Sequence, residues 1–87
     1  MKFEIHLSSM SHKFLKRVDR TTYDRIVRKI EALANDPFLS DAKKIVGRKE
    51  KVHRVRVGDY RILYEIYQDK NAVLIVNIDK RSRIYDG

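Results

Sequence analysis

The feature that most restricts the fold is a Gly-Asp pair at positions 58–59, which lies between two segments of alternating apolar and polar residues. Such alternation is typical of strands with one buried face, and a glycine-containing pair between two of them predicts a tight hairpin turn. This turn would pair Val57 with Tyr60 and place Arg56 directly opposite Arg61. Like charges opposed across a strand pair are destabilising, so the arrangement indicates a need to bind an anion.

The rest of the chain predicts a strand and two helices before this hairpin and one strand after it. Apolar residues alternate over 2–7, and two stretches with helical spacing follow. The second helix should end at Asn35-Asp36-Pro37, because residues before proline avoid the helical conformation. Residues 37–50 are predicted to be irregular. Candidate helix caps are Ser8, Ser9 and Ser11 for the first helix, and Thr21 or Thr22 for the second.

Alternation along the three later strands, predicted at 51–57, 60–67 and 72–79, assigns their side chains to two faces. The apolar face should hold His53, Val55 and Val57, then Tyr60, Ile62, Tyr64 and Ile66, then Ala72, Leu74, Val76 and Ile78. The other face should hold Arg54, Arg56, Arg61, Glu65, Asn77, Asp79 and Arg81. This alignment requires an odd second loop, most simply 68–72. The predicted fold is α+β: an N-terminal strand, a helical hairpin and an antiparallel three-stranded meander, with the helices on the apolar face.

Composition limits the setting in which this fold works. A chain of 87 residues with 43% hydrophobic content predicts a single domain over 1–87. The formal net charge of +8 indicates an anionic partner such as nucleic acid, an acidic protein or a membrane surface. The chain has no cysteine and no apolar run long enough to span a membrane, and it opens on a strand-like segment, so we expect a cytoplasmic protein.

The basic face suits a phosphodiester, because guanidinium is always charged and grips phosphate through two donors. A solvated strand face is the alternative, and the opposed Arg56 and Arg61 favour binding over it. The three histidines, at 6, 12 and 53, are scattered. The nearby carboxylates lack a metal-ligand spacing, so we expect neither a metal nor another cofactor. Arginine cannot act as a base, which leaves Tyr85 as the nearby group able to orient or accept a proton, or merely to cover the core edge.

Two segments, 52–64 and 76–85, closely resemble the RelE/ParE superfamily of toxin–antitoxin toxins, and the RelE-like branch in particular. The resemblance extends over nearly the whole chain: the leading strand, the helical hairpin ending at Asn-Asp-Pro, the Lys-Ile-Val-Gly segment at 44–47, and the meander. It implies a compact fold of the RelE type. It also implies a metal-independent, ribosome-dependent endoribonuclease that cuts messenger RNA in the A site, leaving a 2′,3′-cyclic phosphate and a 5′-hydroxyl. The implied partners are a RelB-like antitoxin, the ribosome and messenger RNA.

The resemblance also implies roles for individual residues. Arg54 and Arg56 would occupy two basic catalytic positions before the turn, where the family often has lysine. Arg61 would hold phosphate, and Arg81 would stabilise the transition state or support the leaving group. Tyr85 would stack on the substrate base and orient or activate the 2′-hydroxyl. The residues expected to bind RNA outside this set are Lys51, Lys80 and Arg83.

Two other functions compete with messenger RNA cleavage. A ParE-like inhibitor of DNA gyrase would share the fold, but such branches generally lack the basic and tyrosine set present here. A nucleic-acid-binding module without catalysis would use the basic face only to hold phosphate. Salt-sensitive binding without cleavage would identify that module, and a supercoiling assay would identify the gyrase inhibitor.

Overall fold

The computed structural model describes residues 2–38, 43–44 and 52–80. Its elements in chain order are β1 (Glu4–Leu7), α1 (Ser9–Arg17), α2 (Arg20–Asn35), β2 (Lys43–Lys44), β3 (Val52–Val57), β4 (Tyr60–Tyr67), a short 3-10 turn (Gln68–Lys70) and β5 (Ala72–Lys80). The strands form one sheet in the order β1-β5-β4-β3-β2. β1 runs parallel to β5, and all other neighbours are antiparallel. The predicted α+β fold is confirmed.

One strand was missed by the sequence prediction. β2 lies inside the segment predicted to be irregular and pairs with β3, with Lys43 opposite Arg54. A strand of two residues has no alternation for a sequence pattern to detect. No helix in the described part of the chain is long and apolar enough to cross a membrane.

The register of the β3–β4 hairpin agrees with the prediction. Val57 pairs with Tyr60, and Arg56 pairs with Arg61. Gly58 has a φ of +59°, in the left-handed region that glycine enters without steric cost. The turn chemistry therefore determines which side chains of this hairpin share a face.

The β4–β5 connection is shorter than predicted. Tyr67 pairs with Ala72, so the loop comprises residues 68–71 rather than 68–72. Asn71 closes it with a φ of +53°, a left-handed conformation that asparagine tolerates better than most residues. With a loop of this even length alone, each β5 side chain would lie on the sheet face opposite to the predicted one.

A β-bulge later in β5 restores the predicted assignment of its side chains to the two faces. Leu63 pairs with Asn77 whereas Tyr64 pairs with Ile75, so Val76 is the extra residue on β5. The predicted assignment of side chains to the two sheet faces is therefore correct from Asn77 onward and wrong for the part of β5 before the bulge. Val73 and Ile75 lie in the core with Ile78, rather than Leu74 and Val76. Alternation could not reveal the switch, because the strand is apolar on both parities between 72 and 76.

Two serines tie the start of α1 to the bulge. Ser8 caps the helix by accepting a hydrogen bond from the backbone N–H of Ser11 at 3.1 Å. The Ser8 hydroxyl donates to the Val76 carbonyl at 2.7 Å, and the buried Ser11 hydroxyl donates to the Ile75 carbonyl at 3.0 Å. These bonds satisfy backbone oxygens at the irregular part of β5.

The second helix begins and ends through its own capping residues. Asp19, rather than Thr21 or Thr22, is the N-cap, and it accepts from the Thr22 backbone N–H at 3.1 Å. Hydrogen bonds from the Thr22 side chain and backbone lower the pKa of Asp19, because they stabilise the carboxylate. The helix ends at Asn35, as the following Asp36-Pro37 predicts.

Both helices pack on one face of the sheet and form the main core with it. The buried core residues are Ile26, Ile30 and Leu33 from α2, and Val55, Val57, Ile62, Tyr64, Val73, Ile75 and Ile78 from the strands. Phe14 and Leu15 of α1 pack against this cluster. The buried Tyr64 hydroxyl donates to the Pro37 carbonyl at 2.8 Å and so holds the end of the helical hairpin on β4. The opposite face of the sheet carries the arginines.

Candidate functional site

Three arginines, Arg54, Arg56 and Arg61, lie together on the sheet face opposite the helices; we call them the arginine patch. Arg56 and Arg61 are paired across β3 and β4, and Arg54 lies two residues before Arg56 on the same side of β3. Residues opposed in an antiparallel pair are about 5 Å apart between their Cβ atoms. One phosphate group could therefore meet two guanidinium groups at this position.

The members of the patch differ in exposure. Arg61 is only 6% exposed, Arg54 is half-buried and Arg56 is exposed. A buried guanidinium is held in few conformations and acts through a medium less polarisable than water, which strengthens its attraction for an anion. Arg61 is thus the preorganised member of the patch, and Arg56 is the member accessible to an incoming ligand.

Asp79 changes the electrostatic balance of the patch. It lies opposite Arg61 on β5, so the central arginine has a like charge on one side and a carboxylate on the other. The Asp79 carboxylate also accepts the Lys80 backbone N–H at 2.8 Å. The sequence placed Asp79 on this face but did not reveal that it is paired with Arg61 across β4 and β5.

The face becomes apolar and then acidic away from the turn. Val52 and Leu63 are buried there, and Val76 packs on them. Glu65, two residues after Leu63 on the same side of β4, is paired with Val52. The positive charge of the face is therefore concentrated at the end of the sheet near the turn.

No histidine described by the structure lies beside the patch. His53 is on the helix side, where its ring stacks on Tyr64 with centroids 5.5 Å apart. His6 lies on the outer strand β1 and contacts Glu4 at 3.0 Å, and His12 is exposed on α1. Within residues 2–38, 43–44 and 52–80, no group of three or more histidine or acidic residues could hold a metal ion.

Of the other predicted site residues, only Lys80 lies within the described part of the chain. Lys80, at the end of β5, is opposite Tyr60 and lies on the helix side of the sheet. Lys51, Arg81, Arg83 and Tyr85 lie outside the described residues.

A second basic position near the turn is contributed by α2, and the sequence did not reveal its proximity to the turn. Arg25 of α2 reaches the β3–β4 turn, and it lines a cleft together with Lys80 and Asp59. Helical periodicity identifies Arg25 as a polar residue of α2 but contains no signal for this long-range contact.

The fold and the chain both match a known class of toxins. A family model for the ParE toxin of the type II toxin–antitoxin system parDE matches residues 5–85. The chain therefore belongs to the RelE/ParE superfamily of toxins from type II toxin–antitoxin systems.

Individual relatives place the chain on the RelE side of this superfamily. A chain assigned as toxin RelE1 of Methanocaldococcus jannaschii is 30% identical over 88 residues, covering 98% of this chain and 97% of that one. A chain in the RelB–RelE antitoxin–toxin complex from Methanococcus jannaschii is also 30% identical, with a TM-score of 0.71 and coverage of 93% and 95%. A chain in the archaeal RelE–RelB complex from Pyrococcus horikoshii OT3 shares the fold, with a TM-score of 0.82, 23% identity and coverage of 95% and 99%. The chain is a RelE-like toxin.

Proposed function

We propose that this toxin is a ribosome-dependent endoribonuclease that cleaves messenger RNA in the ribosomal A site. The observation that carries the proposal is the grouping of the buried Arg61 with Arg54 and Arg56 on the sheet face that the helices leave uncovered. Such a group is suited to the charge that develops on a phosphodiester during cleavage. The 30% identity to a toxin named RelE1 supports a RelE-type activity for this chain.

In the proposed reaction the substrate supplies its own nucleophile. The 2′-oxygen attacks the adjacent phosphorus, the bond from phosphorus to the 5′-oxygen breaks, and the products are a 2′,3′-cyclic phosphate and a 5′-hydroxyl. One proton leaves the 2′-hydroxyl and one is gained by the departing 5′-oxygen. Arg61 and Arg56 would bind the non-bridging oxygens, and Arg54 would hold the neighbouring backbone.

The end of the chain would complete the site. Arg81 follows β5 directly and would support the negative charge on the leaving oxygen, while Tyr85 would stack on the substrate base and orient or activate the 2′-hydroxyl. Lys51, Lys80 and Arg83 would contact the RNA outside the reacting group. Because guanidinium does not give up its proton, the arginines act by charge and position. The ribosome would contribute the alignment that this set does not provide alone.

We further propose that a RelB-like antitoxin binds and neutralises this toxin. The support is the likeness to toxin chains in RelE–RelB complexes together with the basic surface of this chain. An antitoxin at one hundred times its dissociation constant would stabilise the folded toxin by about 2.7 kcal/mol.

The test is to add the purified toxin to translating ribosomes and map the 5′ ends of the messenger RNA. We expect cuts at a fixed position within A-site codons, and a marked loss of cutting in Arg81→Ala and Tyr85→Phe without loss of folding. Absence of codon-positioned cuts with the unmodified protein would refute the proposed activity. Full cutting by both variants would refute the roles given to these two residues.

One alternative has specific support, because the matching family model describes a ParE toxin. A gyrase inhibitor would block DNA supercoiling and leave messenger RNA intact. A supercoiling assay run beside the ribosome assay, with the same protein preparation, separates the two functions. We expect no inhibition at concentrations that cleave messenger RNA.

A further inference from the structure

A polar cleft lies at the same end of the sheet as the arginine patch, on the helix side. It has a volume of about 220 Å³ and is formed by α2, the β3–β4 turn and the end of β5. Its lining residues are Thr22, Arg25, Val57, Asp59, Tyr60 and Lys80. Sites for drug-sized ligands typically have volumes from about 300 Å³ upward, so this cleft suits a smaller group.

The Arg25 guanidinium approaches the glycine of the turn closely. A Cβ atom placed on Gly58 would lie 2.9 Å from Nη2 and 3.2 Å from Nη1 of Arg25. The guanidinium therefore lies directly over the turn, and a side chain at position 58 would have to displace it. The positive φ of Gly58 favours glycine at the same position. The turn that pairs Arg56 with Arg61 thus also receives a cation from α2.

The lining groups suit a singly charged oxyanion. Arg25 and Lys80 contribute two positive charges and Asp59 one negative charge, which leaves a net charge of +1. Guanidinium in particular matches the paired oxygens of a phosphodiester.

We propose that this cleft binds a second backbone phosphate of the RNA that occupies the arginine patch. The inference rests on the proposed function and extends it to a second phosphate site. Val57 and Tyr60 border the cleft, whereas Arg56 and Arg61, their neighbours in the same hairpin, face the patch. An RNA strand bears a charge on every nucleotide and can engage both sides of this turn as it passes around it. This continuity favours RNA over an isolated carboxylate of a protein partner.

The test measures binding of a fluorescent single-stranded RNA, about 12 nucleotides long and with 2′-O-methyl riboses that prevent cleavage. Fluorescence anisotropy gives the affinity at several salt concentrations. In Arg25→Gln we expect about fivefold weaker binding at low salt, and a slope of log K against log [salt] that is shallower by about 0.7, the value for one phosphate contact on a single strand. Arg28→Gln, which removes the same charge from an exposed position of the same helix, is the matched control and should change the slope by much less.

A second variant tests the site by raising the net positive charge of the cleft rather than lowering it. Asp59→Asn removes the carboxylate from the cleft, and we expect it to bind the same RNA more tightly than the unmodified toxin. Thermal melting of each variant shows that the comparison is made between folded proteins. A decrease or no change in affinity for Asp59→Asn would contradict the proposed site.

Two further results would overturn the inference. Equal losses in Arg25→Gln and Arg28→Gln would mean that only net charge matters. Unchanged RNA binding in Arg25→Gln, combined with weaker binding of a glutamate-rich peptide of matched charge, would assign the cleft to an acidic protein partner. Because the RNA cannot be cleaved and no ribosome is present, this assay gives its answer even if the ribosome assay shows no cutting.

Discussion

The two faces of the β3–β4 hairpin have opposite roles, although they are made from the same residues in alternation. Ile62 is fully buried against the helices, and its neighbour Arg61 is 6% exposed on the other side of the strand. Both side chains are removed from water, but one forms the core and the other places a charge where a phosphate could bind. Burial alone therefore does not distinguish a stabilising residue from a functional one; the chemistry of the buried group does.

The two faces also differ in the groups that surround their buried side chains. On the helix side Ile62 belongs to the buried hydrophobic core, so its burial is favourable. On the other side Arg61 lies between a like charge, Arg56, and the carboxylate of Asp79. The repulsion and the attraction acting on Arg61 oppose each other, so its charge should contribute less to stability than the burial of Ile62 does. Substitutions on the two faces should separate folding from activity.

The largest expected effect comes from truncating a core side chain on the helix side of the sheet. Ile62→Ala should lower the free energy of unfolding by about 2–5 kcal/mol, because it removes buried methyl groups and leaves a cavity. Urea unfolding monitored by circular dichroism measures the loss. Met10→Ala, at a side chain that is 61% exposed, is the control and should change stability by less than about 0.5 kcal/mol. Similar losses in the two variants would show that the core is not centred on the helix side.

A substitution on the arginine face should reduce messenger RNA cleavage rather than the stability of the fold. Arg61→Gln should reduce messenger RNA cleavage on ribosomes by about 10²–10³-fold, since it removes a preorganised charge from the reacting phosphate. The free energy of unfolding should change by less than about 1 kcal/mol, because the repulsion from Arg56 and the attraction to Asp79 are lost together. Arg28→Gln serves as the charge-matched control. A stable Arg61→Gln protein with full activity would remove Arg61 from the site.

A smaller effect is expected where α1 is tied to the bulge. Ser11→Ala removes the buried hydrogen bond to the Ile75 carbonyl and should cost about 1 kcal/mol of stability. The cost is moderate because the Ser8 backbone N–H still donates to that carbonyl at 3.0 Å. Ser9→Ala, at an exposed position of the same helix, should be close to neutral. Thermal melting of both variants provides the comparison.

The smallest expected effect is a gain in stability rather than a loss. Arg56→Gln relieves the like-charge pair with Arg61, so the free energy of unfolding should rise by about 0.2–1 kcal/mol at low salt, while cleavage falls. At about 1 M salt the gain should largely disappear, because the charge of the exposed Arg56 is then screened. A loss of stability in this variant would show that Arg56 has a structural role that the register does not reveal.

The local features of the fold could be read from the sequence. The Gly-Asp turn and the alternation on both sides of it specify the β3–β4 register, and Asn-Asp-Pro specifies the end of α2. These signals are strong because they depend on the backbone preferences of a few adjacent residues. The arginine patch was predictable for the same reason, since Arg54, Arg56 and Arg61 all lie within this one hairpin.

Only the tertiary structure decided the features that depend on distant parts of the chain. Three such features are the Val76 bulge, the register that places Asp79 opposite Arg61, and the approach of Arg25 to Gly58. An apolar run such as 72–76 is compatible with either facing, so its alternation carries no information about the bulge. The sequence by itself determined the hairpin and its basic face, because turn geometry is a local property. Packing of the helices and of β5 against that hairpin then decided what surrounds each charge.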